Sequence, residues 1–426
     1  MLDPARRMSN HSDNKANLAG RFFSISKTVG DKPLFFRKLN GSWSSLTWSE
    51  VDQKTRQLAS VLLSAGVSPG DRVIISAENR PEWAICDLAI LAIGAIVVPA
   101  YTTNTEDDHH FIMDHSGAVV AITSGGVLAT RMMLAASRAP SMRLIMFMDP
   151  TVISDSDHNI DTIQWDDVAA ATPLASIDQH INAQKSDDTC CLIYTSGTGG
   201  RPKGVMLTHR SIQANIDAAI TLLEEASISY NQRFLSLLPL SHSYEHTAGL
   251  HLPLQTKSEV WYSESVEQIA ANLLEVSPTL MTAVPRLYDV LHERITRGVR
   301  SKGGISARLF DETIRQKVNG KSISEILNEK NILPGIKVDK GAKKLALSKD
   351  ETITEGLDGL RERLNEYYEL GARFAKWRAV YKISEKDNLP SIESIKANSH
   401  ALGRYSALVQ EANMVPIVEP ELLMDG

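Results

Sequence analysis

The sequence predicts an α/β protein in two successive parts, and three observations carry that expectation. In both halves, strand-length apolar runs adjoin stretches of helical spacing. Lysine is spread unevenly, with eight in residues 1–300 and thirteen in residues 301–426, a shift that a single domain does not require. A glycine-rich segment, Tyr194 to Gly204, stands between an apolar run and a stretch of helical spacing. Composition fits two domains with ample core: 426 residues, 43% hydrophobic and 23% charged, at a net charge of −6. That balance offers no basic excess for nucleic acid.

The elements follow in chain order. Residues 1–20, polar and with methionines at Met1 and Met8, read as a loose, disordered tail. Ala84 to Val98 is apolar for long enough to raise a membrane span, but Asp87, Gly94 and Pro99 interrupt it, so a buried helix followed by a strand is expected. Cys190 to Tyr194 reads as a buried strand. After the glycine-rich turn, Val205 to Leu207 is apolar, and Thr208 is placed to cap a helix carrying Ile212, Ile216, Ile220 and Leu223 at helical spacing. Cys86, Cys190 and Cys191 make neither a metal spacing nor a disulfide framework, and the opening residues lack a signal-peptide core, which together favour the cytoplasm.

The turn itself carries the chemistry. Glycines at 197, 199 and 200 let the backbone fold tightly with N–H groups facing inward, a shape that holds an anion. Ser196 and Thr198 add hydroxyl donors, and Lys203, fixed after Pro202, adds a positive charge suited to a triphosphate. The spacing excludes a P-loop of the Walker type, which needs Lys-Ser or Lys-Thr behind its second glycine. A bare surface hairpin is the competing reading, since Gly/Ser/Thr clusters are usually turns. The segment Tyr194-Thr-Ser-Gly-Thr-Gly-Gly-Arg-Pro-Lys-Gly204 resembles the signature of the adenylate-forming superfamily, with Gly199 where the family carries a second Thr or another polar residue. The resemblance runs on through Leu46–Val51, Gly70–Val73, Glu78–Trp83, Leu237–Glu245 and Pro278–Tyr288, the last two favouring long-chain fatty acyl-CoA synthetases. It implies ATP, Mg²⁺ and coenzyme A as cofactors, with Thr195, Ser196, Gly197, Thr198, Gly199, Gly200 and Lys203 at the ATP phosphates and His242 beside the acyl and pyrophosphate ends. It also implies a fatty acid substrate and peripheral contact with a bilayer.

His242-Ser-Tyr-Glu-His246 fits the H-x-x-E-H pattern of zinc peptidases, in which two histidines one helical turn apart hold metal. Pro239 and the strand-like Phe234 to Leu238 place His242 at a strand end instead, so no metal ligand is expected. His109, His110 and His115 read as polar residues at a helix start.

From Ile305 the chain alternates again: strand Gly335–Val338, helix near Ile353–Leu370, strand Lys376–Tyr381, helix near Ile392–Ala412, strand Val415–Glu419. Leu357, Leu360, Leu364 and Tyr367 form a stripe suited to covering a sheet. The repeat suggests a parallel sheet or a (β/α)8 barrel. Lys376 and Arg378 point the same way in a strand, as do Glu419 and Glu421, which reads either as a catalytic cluster at a barrel mouth or as a solvated edge strand. Leu309–Arg315, Gly335–Gly341, Gly356–Leu360, Lys376–Arg378 and Val415–Glu421 resemble successive words of class I fructose-1,6-bisphosphate aldolase. That resemblance implies a sugar-phosphate substrate, with Lys337, Lys376, Arg378 and Glu419 at active-site positions and Glu421 beside them.

The fold class expected is therefore α/β, a truncated adenylate-forming domain over residues 21–304 followed by a partial (β/α)8 TIM barrel over 305–426, joined near Gly303 to Asp311. Three functional readings follow: an ATP-dependent long-chain fatty acid:CoA ligase, an aldolase-type lyase, and a chimera without activity. The third is preferred. The Tyr-Gly-x-Thr-Glu and Thr-Gly-Asp words that the ligase family uses for adenine, Mg²⁺ and ribose do not occur after Gly204, and the aldolase imine lysine belongs to a later strand than the chain reaches.

Overall fold

The computed structural model describes residues 17–152, 160–195, 202–228, 230–284, 287, 327, 333–348, 350–384 and 387–423. These residues separate into two compact units, the first taking the described residues up to Leu287 except Pro202, and the second taking Pro202 and the residues beyond Leu287. The expected join at Gly303 to Asp311 falls outside the described residues.

In the first unit the chain takes up structure earlier than the expected tail allows. Asn17 caps helix α1 (Leu18–Val29) by accepting the Gly20 N–H at 2.7 Å, and its amide donates to the Ile181 carbonyl at 2.8 Å. Leu18, Ala19 and Gly20 are buried, so the tail reading fails for residues 17–20. A hairpin follows, β1 (Pro33–Leu39) and β2 (Ser42–Thr47), turned by Asn40 and Gly41 at φ of 50° and 80°. Thr47 and Glu50 form a capping box that starts α2 (Trp48–Ser64).

Strand and helix then alternate through β3 (Arg72–Ser76), α3 (Pro81–Ala92), β4 (Ile96–Pro99), α4 (Glu106–Ser116), β5 (Val120–Thr123), α5 (Gly126–Ser137), β6 (Leu144–Phe147) and β7 (Asp161–Gln164). Two short helices, α6 (Trp165–Ala169) and α7 (Ile177–Ala183), precede the hairpin of β8 (Thr189–Thr195) and β9 (Lys203–Thr208). Together these strands make a seven-stranded sheet in the order β7-β6-β5-β3-β4-β8-β9, parallel throughout except for β9 against β8. The long apolar run is α3 plus β4, as expected; α3 is buried along nearly its whole length, which is why it lacks a polar face. No described helix is long and apolar enough to cross a membrane.

Thr208 caps α8 (His209–Glu225), which buries Ile212, Ile216 and Ile220 as the spacing predicts. After β10 (Arg233–Ser236) come a short turn of helix α9 (Ser243–Glu245), a π-helical turn over His246–His251, α10 (Leu252–Gln255), β11 (Glu259–Tyr262), α11 (Ile269–Val276) and β12 (Leu280–Met281). A second, five-stranded sheet in the order β12-β10-β11-β1-β2 results, with only β1 and β2 antiparallel. One apolar core joins α1, α2, α3 and α8 to both sheets.

The second unit holds β13 (Gly335–Lys337), a hairpin of β14 (Ala342–Lys344) and β15 (Thr352–Thr354), α12 (Leu360–Glu369), β16 (Phe374–Lys382), α13 (Ile392–Glu411) and β17 (Val415–Leu423). The expected helix from Ile353 begins only at Leu360. Ile353 is paired with Lys343 in the hairpin, and Gly356 and Gly359, at φ of 127° and 62°, turn the chain before the helix can start. Strands β13, β16 and β17 form a parallel sheet, with β17 running through Pro420 beyond its expected end. Ala375, Trp377 and Ala379 alternate onto the face covered by Leu360, Leu364, Tyr405 and Val409, and are fully buried there. Tyr405 ties the layer together by donating its hydroxyl to the Ala375 and Ile417 carbonyls.

Candidate functional site

Strand β8 runs parallel to β4 and delivers its C-terminal end, Thr195, to the carboxyl edge of the sheet, where α/β folds place ligands. Thr195 and Lys203 are direct partners in the β8–β9 register, so the two residues bracket the glycine-rich turn. The Thr195 hydroxyl is buried and has no hydrogen-bond partner among the described residues, a group that calls for a ligand acceptor. Lys203 is exposed at the mouth of the turn. Ser196, Gly197, Thr198, Gly199 and Gly200 lie outside the described residues. Gly204 sits in a close-packed spot: a Cβ there would meet Leu192 Cδ1 at 3.0 Å and Tyr194 Cζ at 3.2 Å, so those side chains would have to give way slightly. Tyr194 is held from the far side by His115, whose Nδ1 lies 2.8 Å from the Tyr194 hydroxyl, and burial raises the phenol above its ordinary value.

The stretch after β10 differs from expectation. The strand ends at Ser236, and His242 is the cap of the helical turn α9, its Nδ1 accepting the Tyr244 N–H at 3.2 Å. His242 is exposed, and beside Ser243 and Tyr244 opens a cavity of about 450 Å³ lined by Leu207, Ile212, Ile216, Ala248 and Leu252. Glu245 faces inward instead. Its carboxylate accepts from Ser236 at 2.7 Å and from Thr282, and burial pushes it up to about 7 against those hydrogen bonds.

His246 does not join His242. It turns inward to Asp87 of α3, with Nε2 2.7 Å from Oδ1, and His251 Nε2 lies 3.2 Å from the other carboxylate oxygen. All three side chains are buried, and the two imidazoles meet edge to face at 4.8 Å. Burial alone would raise Asp87, but His246, through its charge and its hydrogen bond, and the neighbouring His251 ring hold it well below the usual carboxylate range. Sequence reasoning missed this cluster: Asp87 lies 159 residues from His246, and five residues between histidines is no helical period. His109 and His110 do sit in the first half of α4, as expected, but His115 is in its last turn.

In the second unit Lys337, Lys376 and Arg378 occupy the face of the sheet opposite the helices, with Lys337 beside Lys376 in register. Lys376 Nζ pairs with Glu419 at 2.6 Å, Arg378 pairs with Glu421, and Lys337 pairs with Asp339 at 2.6 Å. The four residues of β16 and β17 are each about two-fifths exposed at the side chain, which makes them solvated pairs worth roughly 0–1 kcal/mol apiece and leaves their charges available to a ligand.

Comparison with known proteins matches two overlapping stretches of the chain to two families. Residues 23–327 match the family described as AMP-binding enzyme, and residues 295–426 match fructose-bisphosphate aldolase class-I. A probable fructose-bisphosphate aldolase class 1 of Xanthomonas axonopodis pv. citri is 51% identical over 165 residues, 38% of this chain and 45% of that protein. The long-chain-fatty-acid–CoA ligase FadD15 of Mycobacterium tuberculosis is 28% identical over 294 residues, 69% of this chain and 47% of that protein. The chain thus spans less than half the length of either relative. Among solved structures, a benzoate CoA ligase from Burkholderia xenovorans aligns at a TM-score of 0.53 and 25% identity, covering 64% of this chain and 51% of that one. The A-PCP didomain of a carboxylic acid reductase from Segniliparus rugosus shares the fold at a TM-score of 0.61 and 19% identity, covering 79% of this chain and 51% of that one. The chain belongs to the AMP-binding enzyme family, with a class-I fructose-bisphosphate aldolase domain in its C-terminal part.

Proposed function

We propose that the first unit holds the phosphates of ATP between Thr195 and Lys203 and receives a long-chain fatty carboxylate beside His242. One observation carries this reading: the Thr195 hydroxyl, buried and without a partner among the described residues, stands in register with Lys203 across the ends of the glycine-rich turn. The cavity supports the acyl class, since its Leu, Ile and Ala lining offers a hydrocarbon chain an apolar wall. In the chemistry this arrangement serves, a carboxylate oxygen attacks the α-phosphorus, the bond to the β-phosphate oxygen breaks, and pyrophosphate leaves. The thiol sulfur of coenzyme A then attacks the acyl carbon and AMP departs. Lys203 and Thr195 would stabilise the leaving phosphates electrostatically, and Mg²⁺ carried with the nucleotide supplies further neutralising charge. His242, exposed and fixed by its own cap hydrogen bond, orients the carboxylate end.

In the same reading the chain binds nucleotide without completing the reaction. Residues 205–426 contain no Tyr-Gly-x-Thr-Glu or Thr-Gly-Asp word to grip adenine and ribose, and aldolase-type sequence takes up the chain from residue 295. A palmitoyl-adenylate mimic with a non-hydrolysable sulfamoyl linkage is expected to displace bound ATP, while an aminoacyl mimic does not; equal displacement by both would remove the long-chain assignment. Pyrophosphate release from ATP and palmitate is expected to stay at background, and steady release would remove the claim of binding without turnover. The second unit supports a companion reading as a sugar-phosphate surface, since Lys337, Lys376 and Arg378 share one face of its sheet. Borohydride reduction with dihydroxyacetone phosphate should leave no covalent adduct on them, and a trapped adduct would count against a purely electrostatic role for these lysines.

A further inference from the structure

We propose that Asp87, His246 and His251 form a buried site for one divalent transition-metal ion of the zinc class, separate from the phosphate turn. The potential ligand atoms of the three residues all lie within 4.8 Å of one another. Zinc ligands stand about 2.0–2.2 Å from the ion, so a common ion needs only small side-chain rotations to draw them in. Two imidazoles and one carboxylate suit zinc and cobalt, and a single buried negative charge offsets part of the ion's charge.

Two further observations set this cluster apart from an ordinary hydrogen-bonded trio. The first is the backbone. In a regular α-helix, residues five apart point about 140° away from each other. The π-helical turn over His246–His251 closes its hydrogen bonds over five residues, and so brings the two rings to one side, against Asp87. Such turns are rare and gather at functional sites. The second is incomplete pairing. Asp87 Oδ2 and His251 Nε2 approach to 3.2 Å, yet neither completes a hydrogen bond among the described residues, and His246 Nδ1 has no partner there either. A carboxylate oxygen and an imidazole nitrogen that face each other unsatisfied in a dry interior are the two atoms an ion would bridge. A trio held by hydrogen bonds alone uses only the His246–Asp87 contact and leaves the remaining atoms unpaired.

Because all three residues are buried, the ion would enter as the chain folds. The test unfolds the full chain in chelator and refolds it with Co²⁺, which reports its ligands through visible ligand-field bands. One Co²⁺ per chain, retained on dialysis, is expected, together with loss of the bands in His251→Gln and their retention in His242→Gln. His251→Cys should add a thiolate-to-cobalt charge-transfer band, and this serves if the glutamine variant does not fold. Refolded wild-type chain that retains no stoichiometric cobalt, bands that persist in a folded His251→Gln, or a folded His251→Cys without the thiolate band would each overturn the assignment.

Discussion

His109 and His209 are buried as neutral rings, and loss of solvent lowers both from 6.5 to about 4. Neutral His209 accepts the Leu18 N–H on its Nδ1, which an imidazolium cannot do. Between pH 6.5 and 4 the unfolded chain therefore binds protons that the native chain refuses, and stability falls as pH falls. The two rings together should cost the first unit up to about 3 kcal/mol per pH unit in that window. Urea unfolding at pH 7, 6 and 5 should show this slope, and the double substitution His109→Gln with His209→Gln should flatten it; equal slopes in both proteins would refute the assignment. Gly249 makes a second prediction. A Cβ there would strike the Glu245 carboxylate, and that carboxylate cannot swing aside because Ser236 and Thr282 hold it. Gly249→Ala should therefore destabilise the chain by about 1–3 kcal/mol in chemical unfolding, and a neutral result would mean that Glu245 moves freely. None of this was legible beforehand, since burial of His109 and the pairing of His246 with Asp87 depend on contacts remote in sequence.

At the scale of elements, local physics determined what could be read. The helix α8 was legible because Thr208 caps it and Ile212, Ile216 and Ile220 repeat at its period, both features of neighbouring residues. The charge pattern of β16 was legible for the same reason: a period of two sends Lys376 and Arg378 to one face and Trp377 to the other. The start of α12 was not, because Ile353 continues an apolar spacing that two glycines then interrupt. Likewise the π-helical turn breaks the period on which a helix is recognised. Trp377 is the largest side chain in the core of the second unit and is fully buried against Tyr405 and its neighbours. Trp377→Ala should cost about 3–5 kcal/mol. Because the cores of the two units share no residue, calorimetry should show the transition of the second unit lowered and that of the first unmoved. A shift of both together would show that the units unfold as one.

Over the whole molecule, a match to AMP-binding enzymes over residues 23–327 and one to class-I fructose-bisphosphate aldolase over residues 295–426 meet in one chain, whose lysines are concentrated after residue 300. Their matches overlap across residues 295–327, so the boundary is shared sequence and not a clean cut. The proposed function gives the two halves a common chemistry: a hydroxyl and a lysine bracket a glycine-rich turn in the first, and basic residues line one sheet face in the second. The first of these is the claim on which the functional account turns. Isothermal titration of the full chain with ATP measures it most directly, using the exposed Lys203→Ala as the comparison once its circular dichroism matches that of the wild type. The account predicts saturable binding that weakens by about 10-fold or more in the variant, the worth of a hydrogen bond to a charged phosphate. Absence of ATP binding, or equal affinity in the two proteins, would contradict it.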